Sequence, residues 1–475
     1  MILSKLIAPQ DPISIRGSKD KEILGIRTNS KEVRPKDLFI ALSPNRSYMD
    51  EAILSGAAAI VVDIFNPFLP KEITQIEHPN PKEYAGILAN RFYQNPSQHL
   101  KILGVTGTSG KSTTTWMIRH LLGEDYCGVI GTLGAYMKTH SVEVPLTTPE
   151  PVTLCRLLQE MVKENLSYCA MECSSHGLDQ NRVSHLEFEG AIFLNLTQDH
   201  LDYHQTFEDY YQAKKKLFLL ATKKQVINID DPYGMRLYNE LSNQSITIGQ
   251  DPRADYRIKE VALTLQSSRC LLEHKNGNFL VELPMIGSYH LYNMVAAIAL
   301  VHQEGRSLEA LCNLSKSFQS VPGRSEMITT PMGFSIMVDY AHKPDALLKL
   351  LKSLREAGAK KITTIFGCGG ERDQMKRPMM AKIAEQFSDR VIVTTDNPRK
   401  EDPHQIIQQI VQGFEKNNFE IIVDRKSAIL NGLKNAQKGE VILIAGRGHE
   451  KEQKLKTASI PFLDSEVAKN LLIGI

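Results

Sequence analysis

The chain has almost no net charge. Its 56 Lys and Arg against 54 Asp and Glu leave +2 at pH 7, so nucleic acid and anionic membranes meet no global attracting field. No apolar run reaches the ~18 residues of a membrane-spanning helix. The start, Met1-Ile-Leu-Ser-Lys-Leu-Ile7, breaks off at Pro9 and Asp11 and does not resemble a secretory leader. Neither membrane insertion nor export is expected. Cysteine is sparse and odd in number: seven, at 127, 155, 169, 173, 270, 312 and 368, mostly inside apolar runs. That argues against a disulfide framework and for reduced core thiols in a cytoplasmic protein. Cys169 and Cys173 share one expected strand with no second pair nearby, so no zinc site is expected there. Fixed-period repeats and low-complexity tracts are missing too. The 42% hydrophobic and 23% charged composition is that of an ordered globular chain. At ~100–200 residues per domain, the length allows two to four domains.

What is present falls into three blocks. Residues 1–98 mix short strands, at 37–42 and 57–63, with helices, and end in a polar, proline-containing stretch, 93–98, that reads as a linker. Residues 99–320 alternate strands (166–172, 190–195, 225–230) with helices (152–165, 210–221), which predicts a parallel sheet covered by helices. Period-two alternation over 255–285, with the turn Lys275-Asn-Gly-Asn278, predicts an antiparallel excursion. Helices at 290–304 and 307–318 follow. Residues 321–475 return to β/α alternation, with strands at 335–340, 361–367, 390–395, 419–424 and 441–445 and helices at 346–357, 377–387 and 403–414. The fold class is α/β in three domains.

The chemistry sits at the strand ends, where open α/β sheets bind ligands. Lys101-Ile-Leu-Gly-Val-Thr-Gly-Thr-Ser-Gly-Lys-Ser112 is a strand, a glycine-rich turn and a Lys-Ser pair opening a helix. Such a loop wraps phosphates in backbone N–H groups, neutralises them with the lysine and offers the hydroxyl of Ser112 to Mg²⁺. The strand ending in Glu172-Cys-Ser-Ser-His176 and the one ending in Asn195…Asp199-His-Leu-Asp-Tyr-His204 bring acids and histidines beside it. Glu172 suits a Mg²⁺ that is otherwise held by phosphates, and His200 could complete a second cation site. In the last block, Gly367-Cys-Gly-Gly-Glu-Arg-Asp373, Asp396-Asn-Pro-Arg399 and Gly446-Arg-Gly-His-Glu450 present Arg372, Asp396, Arg399 and Glu450. Guanidinium for carboxylate and carboxylate for ammonium suit a small zwitterion.

These motifs resemble the Mur ligases of peptidoglycan synthesis over essentially the whole chain. The loop is similar to that family's G-T-x-G-K-[ST]-T variant. Met171-Glu-Cys-Ser-Ser-His-Gly-Leu178, Gly287…Asn293, Pro322-Gly-Arg324 and Asp339-Tyr-Ala-His342 match its central motifs. Residues 367–378 and the Asp-Asn-Pro-Arg run look like members that add meso-diaminopimelate to the D-glutamate of UDP-N-acetylmuramoyl-L-alanyl-D-glutamate, through an acyl phosphate and with release of ADP. The resemblance implies a UDP-substrate-binding N-terminal domain (1–98), a P-loop ATP-binding domain (99–320) and a Rossmann-like amino-acid-binding domain (321–475).

Residue by residue, it implies that Gly107, Thr108, Ser109, Gly110, Lys111, Ser112 and Thr113 hold ATP phosphates, with Asn293, Arg324 and Asp339 at adenine and ribose. Ser30, Thr147, Thr148, Ser174, Gln180 and Arg182 would hold the UDP-substrate. Arg372, Asp396, Asn397, Pro398, Arg399, Gly446 and Glu450 would hold diaminopimelate. Lys111, Glu172, His200 and Lys214 would be catalytic. Lys214, in Tyr211-Gln-Ala-Lys-Lys-Lys-Leu-Phe218, matches the lysine that takes up CO₂ as a carbamate and joins Ser112, Glu172 and His200 around Mg²⁺. The implied enzyme is a cytoplasmic monomer acting on small molecules, with neither a nucleic acid nor a membrane as partner. Asn29-Ser30-Lys31, Tyr289-His290, Lys343 and Leu146 depart from the commoner Asp-Ser-Arg, Phe-Asn, Thr and Asn. The alternatives are a lysine-adding or other Mur-type ligase, a folylpolyglutamate synthetase, or a P-loop regulatory or transport ATPase. Residues 367–399 argue against the second, and the charged strand ends of the last block argue against the third.

Overall fold

The computed structural model describes residues 1–43, 45–221, 223–241 and 245–474, apart from the side chain of Asp202. Two compact units emerge, residues 1–227 with 231–245, and residues 228–230 with 246–475.

The first unit opens with a five-stranded sheet in the order Ser14–Arg16, Thr74–Glu77, Ala59–Val62, Asp37–Ile40, Gly25–Arg27. Only the first pair is antiparallel. Asp37–Ile40 and Ala59–Val62 are buried throughout, as expected of short apolar runs that pack on both faces. The stretch 93–98 differs from a free linker. Helix Pro81–Phe92 packs on helix Pro151–Lys163, Asn95 turns left-handed and Pro96–Gln98 forms a 3₁₀ turn with Pro96 buried. Tertiary packing makes this polar stretch a fixed elbow.

The remainder of the unit is a parallel sheet in the order Lys224–Asn228, Phe188–Phe193, Lys101–Thr106, Tyr168–Glu172, Cys127–Gly131, extended antiparallel by Gly134–Tyr136 and Ser141–Val142. Glu172 pairs with Val105 and Phe193 with Thr106, so three carboxyl ends finish level. Helices Lys111–Leu122, Pro151–Lys163 and Phe207–Leu220 connect the strands. Thr206 caps the last of these by accepting the Asp209 N–H, with Glu208 and Asp209 in the first turn, where negative charge favours the helix dipole.

In the second unit the expected excursion is three strands, Tyr256–Leu263, Ser268–His274 and Gly277–Leu283, paired antiparallel, with Ile246–Gly249 paired parallel to the first of them. Helices Ser288–His302 and Leu308–Ser315 follow, the first almost wholly buried. A six-stranded sheet runs Glu326–Thr329, Ser335–Asp339, Glu440–Ala445, Lys361–Phe366, Arg390–Val393, Phe419–Ile421, parallel except for the first pair. Helices Pro344–Glu356, Lys376–Phe387 and Pro403–Val411 pack in one core cluster, and Arg425–Lys434 and Asp464–Leu472 in another. A hairpin, Glu452–Lys454 with Ser459–Pro461, is absent from the sequence expectation, because its three-residue strands are too short to show a period. Among the described residues no helix is long and apolar enough to cross a membrane.

One polar tie fastens the N-terminal segment to helix Pro81–Phe92. Arg91 grips Asp11 with both terminal nitrogens, at 2.5 and 2.8 Å, and the Tyr84 hydroxyl donates to the same carboxylate at 2.8 Å. These donors hold the Asp11 pKa at about 2, below its usual 3.8. A depressed carboxyl stabilises the fold above its unfolded pKa. That contribution is full above pH 3.8 and is lost as pH falls through about 2. Asp11→Asn should therefore lower stability by about 2 kcal/mol at neutral pH. Urea denaturation at pH 7 and at acid pH checks this: the gap between variant and wild type should close at the acid end.

Candidate functional site

The phosphate loop spans the end of strand Lys101–Thr106 and the start of helix Lys111–Leu122. A neighbouring strand end fixes its shape. The Asn195 carbonyl accepts the Thr108 N–H at 3.0 Å, its side-chain oxygen accepts the Ser109 N–H at 3.0 Å, and its amide donates to the Ser109 carbonyl at 3.2 Å. The Thr108 hydroxyl accepts the Thr197 N–H at 3.0 Å. Lys111 Nζ lies 2.7 Å from the Gly107 carbonyl oxygen and 3.1 Å from that of Thr108, a fold-back that keeps the ammonium over the loop. Ser112 and Thr113 are buried in the first helical turn. Asn195 is the loop's clamp, a role its place in a strand-end motif did not disclose.

Glu172 ends the adjacent strand, buried, and accepts the Thr132 N–H at 2.9 Å and hydroxyl at 3.2 Å. A Cβ at Gly131 would stand 2.1 Å from Glu172 Oε1, so only glycine leaves room for this carboxylate. Hydrogen bonds run outward from it through most of the expected UDP-substrate residues. The Thr132 and Thr147 hydroxyls meet at 3.0 Å. The Thr148 hydroxyl donates to the Glu172 carbonyl at 2.8 Å and accepts the Ser174 N–H at 2.9 Å. Arg182 donates to the Thr148 carbonyl at 2.8 Å and to Gln180 at 2.7 Å, and pairs with Glu150 at 3.1 Å. Thr147, Thr148, Ser174, Gln180 and Arg182 thus form one shelf, with Thr148 itself buried. Ser30 belongs to another neighbourhood, where its hydroxyl donates to Glu51 at 2.5 Å.

Three consecutive lysines on helix Phe207–Leu220 have different surroundings. Lys215 pairs with Glu240 at 2.9 Å and Lys216 with Asp179 at 3.1 Å. Lys214 is 1% exposed, its Nζ 4.5 Å from the centre of the Tyr210 ring. His204 stacks on the same Tyr210 ring, with centroids 5.1 Å apart. His200, left-handed at φ 51°, lies 3.3 Å from Asp199 and 4.7 Å from the His176 ring. Among the described residues no three His, Cys, Asp or Glu side chains gather as a metal cage. The donors present, a hydroxyl and a buried carboxylate beside a phosphate loop, fit a hard cation that takes its remaining ligands from substrate phosphates and water.

The second unit carries the other two groups. Asn293 is buried on helix Ser288–His302. Asp339 ends its strand accepting the Ser325 and Ala341 N–H groups at 2.6 and 2.8 Å. Burial raises its pKa against the lowering pull of Arg324, whose guanidinium lies 4.5 Å from the Tyr340 ring centre. His290, in the Tyr-His pair, is buried 3.1 Å from the Ser325 hydroxyl, and burial drives its pKa down to about 3.

The loops after strands Lys361–Phe366 and Arg390–Val393 interlock. Gly370 N–H donates to the Asn397 carbonyl at 2.9 Å, Arg399 Nη1 donates to the Gly370 carbonyl at 2.7 Å, and a Cβ at Gly370 would fall 1.9 Å from the Pro398 oxygen. The Asn397 amide donates to Glu450. Arg372 is exposed. Asp396 differs from the expected outward-facing acid. It is buried, one oxygen accepts the Asn397 N–H at 2.6 Å, and the other occupies the space a Cβ on Gly446 would need. Burial raises the pKa of Asp396 and of Glu450, while Arg425 and Arg447 pull that of Asp396 back down. Arg425 makes a fully buried bidentate pair with Asp464, at 2.8 and 2.7 Å, and Arg447 Nη1 stands 3.7 Å from Asp464. Sequence reasoning missed this foundation, since Arg425 and Asp464 begin two unremarkable helices 39 residues apart.

The chain is similar to known proteins over its whole length. Residues 105–301 match the Mur ligase middle domain and residues 323–448 the Mur ligase glutamate ligase domain. A UDP-N-acetylmuramoyl-L-alanyl-D-glutamate–2,6-diaminopimelate ligase of Clostridium acetobutylicum is 38% identical over 480 residues, covering 99% of both chains. A solved structure of a ligase of that name superposes with a TM-score of 0.72 at 30% identity, covering 100% of this chain and 99% of the other. A folylpolyglutamate synthase of Mycobacterium tuberculosis shares the fold alone, at a TM-score of 0.62 and 15% identity over 75% of this chain and 91% of its own. Near-complete coverage by such relatives, on an α/β fold that ends its strands in a phosphate loop and an Asp-Asn-Pro-Arg turn, makes the chain a member of the Mur ligase family.

Proposed function

We propose that the protein is the ATP-dependent, ADP-forming ligase that joins meso-diaminopimelate to the D-glutamate of UDP-N-acetylmuramoyl-L-alanyl-D-glutamate in peptidoglycan precursor synthesis, as a cytoplasmic monomer. The domains of this reading are 1–98 for the UDP-substrate, 99–320 for ATP and 321–475 for the amino acid. The observation that carries it is the interlock of Gly370 with the Asp396-Asn-Pro-Arg399 turn and of Asn397 with Glu450, which gathers groups of both charge signs, as a zwitterion requires.

The D-glutamyl γ-carboxylate attacks the γ-phosphorus of ATP, giving an acyl phosphate and ADP. The amine of diaminopimelate then attacks the acyl carbon and phosphate leaves. Phosphoryl transfer of this kind needs positioning and charge neutralisation above all. The loop 107–113 would position the phosphates, Lys111 would neutralise them, and the shelf from Thr147 to Arg182 would hold the muramoyl substrate. Asn293, Arg324 and Asp339 would receive the nucleoside. Ser112, Glu172 and His200 would hold Mg²⁺, which supplies charge neutralisation when bound. Lys214 would carry a CO₂-derived carbamate, converting a buried cation into a ligating anion. Its burial supports that choice. ADP release from ATP and the UDP-muramoyl-dipeptide, with and without diaminopimelate, tests the whole reading. Turnover that ignores both substrates would leave a P-loop regulatory ATPase.

Lys111→Ala should reduce ligation by on the order of 10²-fold or more, as loss of one transition-state electrostatic donor does. Near wild-type turnover of the purified variant would refute the phosphate-loop role. Lys214→Ala should be nearly inactive and partly rescued by short carboxylates, whereas Lys215→Ala and Lys216→Ala lose only ion pairs and keep activity; steady-state rates across the three variants decide the position. For the amino acid, a site built for the distal carboxylate leaves donors unpaired when L-lysine binds, and discrimination of up to ~10⁴-fold follows. Arg399→Lys loses the planar fork and should raise the diaminopimelate KM far more than the ATP KM. Equal incorporation of lysine by the wild type in a competition assay would sink the specificity and leave the ligase.

A further inference from the structure

Residues 394–398 have no regular secondary structure, and Arg399 sits in the left-handed region at φ 51°. A recognition loop of this kind keeps its shape only through partners. The glycine turn at 367–371 holds one side. The other side is held by the small hairpin Glu452–Lys454/Ser459–Pro461. Gln453 Nε2 donates to the Asp396 carbonyl at 2.6 Å, Lys454 N–H donates to Asn397 Oδ1 at 2.8 Å, and Arg399 N–H donates to the Lys454 carbonyl at 3.1 Å. Two of the three contacts are made by the hairpin's backbone. The side-chain contact belongs to Gln453, buried between the exposed Glu452 and Lys454. A buried amide in an otherwise polar, exposed strand needs a partner, and its partner here is the main chain of the Asp-Asn-Pro-Arg turn.

We propose that Gln453 is a positioning residue for amino-acid selection. It pins the Asp396 carbonyl, so that the Asn397 amide meets Glu450 and the Arg399 guanidinium stays against Gly370. The proposal rests on the reading that this turn receives diaminopimelate. Gln453 acts through the loop and touches no reacting atom. Selection for a distal zwitterion depends on donors held in place before the ligand arrives. A loosened turn can follow lysine as readily as diaminopimelate.

Gln453→Met keeps the length and burial of the side chain and removes the donor, leaving the Asp396 carbonyl without this partner. The expected result is a diaminopimelate KM raised about tenfold, the worth of one buried hydrogen bond, with the ATP KM unchanged within about twofold. Incorporation of L-lysine in competition should rise. Hydrogen exchange in the peptide 394–401 of the free protein should quicken. Gln453→Asn keeps an amide but withdraws it by one methylene; it should shift the same quantities in the same direction and guards against a fold defect in the first variant. Ser459→Ala, which breaks the outer contact to Glu452 at 2.7 Å, should change none of them. Unchanged exchange together with an unchanged diaminopimelate KM overturns the proposal, as does a parallel rise in both KM values. If the wild type fails to use diaminopimelate, the functional reading fails, and the exchange rates alone still decide whether Gln453 holds the turn.

Discussion

Parallel pairing of strand Lys101–Thr106 with Tyr168–Glu172 on one side and Phe188–Phe193 on the other is the constraint on which the rest depends. A parallel ladder fixes direction as well as neighbour, so every connection must return over a face of the sheet and every carboxyl end must open on one edge. With Glu172 level with Val105 and Phe193 with Thr106, the phosphate loop, the buried carboxylate and the Asn195 clamp become neighbours without any long-range search. The six-stranded sheet repeats this logic. Its strand ends at Asp339, Phe366, Val393 and Ala445 deliver the Asp339 carboxylate and the loops that carry Gly370, Asp396 and Glu450.

Much of this was legible because buried parallel strands read as short apolar runs and their connecting helices as 3.6-residue periodicity. The strands expected in the central and last sheets fall within a few residues of their observed positions, and the hairpin turn near Asn276–Gly277 falls where its dipeptide indicated. Cys127–Gly131, Gly134–Tyr136, Ser141–Val142 and Glu326–Thr329, by contrast, are strands the sequence reading did not expect. Other features leave no such trace. The strands Glu452–Lys454 and Ser459–Pro461 are too short to show a period. The bidentate pair of Arg425 and Asp464 looks, in sequence, like two ordinary charged residues. Tyr93–Gln98 has the composition of a tether and the structure of an elbow, because a helix packs beside it.

The candidate site divides along the same line. Motifs disclosed which residue types stand at the strand ends: Lys111 in the glycine-rich loop, Glu172 beside it, and Arg399 with Glu450 in the last sheet. Motifs could not disclose direction. Asp396 stands in the expected turn yet faces inward toward two buried arginines, and Thr148 spends its hydroxyl on the Glu172 carbonyl and the Ser174 N–H. Conversely, geometry separates what spelling left adjacent. Of three successive lysines, two are engaged by acids at the surface and one turns into the protein.

The seven cysteines have a use of a different kind. All are free and buried, and burial raises every one of their thiol pKa values. A thiol of that sort is inert until the structure around it opens, since the thiolate is the reactive species. They are spread over both compact units: Cys127, Cys155, Cys169 and Cys173 in the first, Cys270, Cys312 and Cys368 in the second. The native chain therefore carries its own internal reporters, and the order in which an alkylating reagent reaches them is a map of which part of the molecule breathes first.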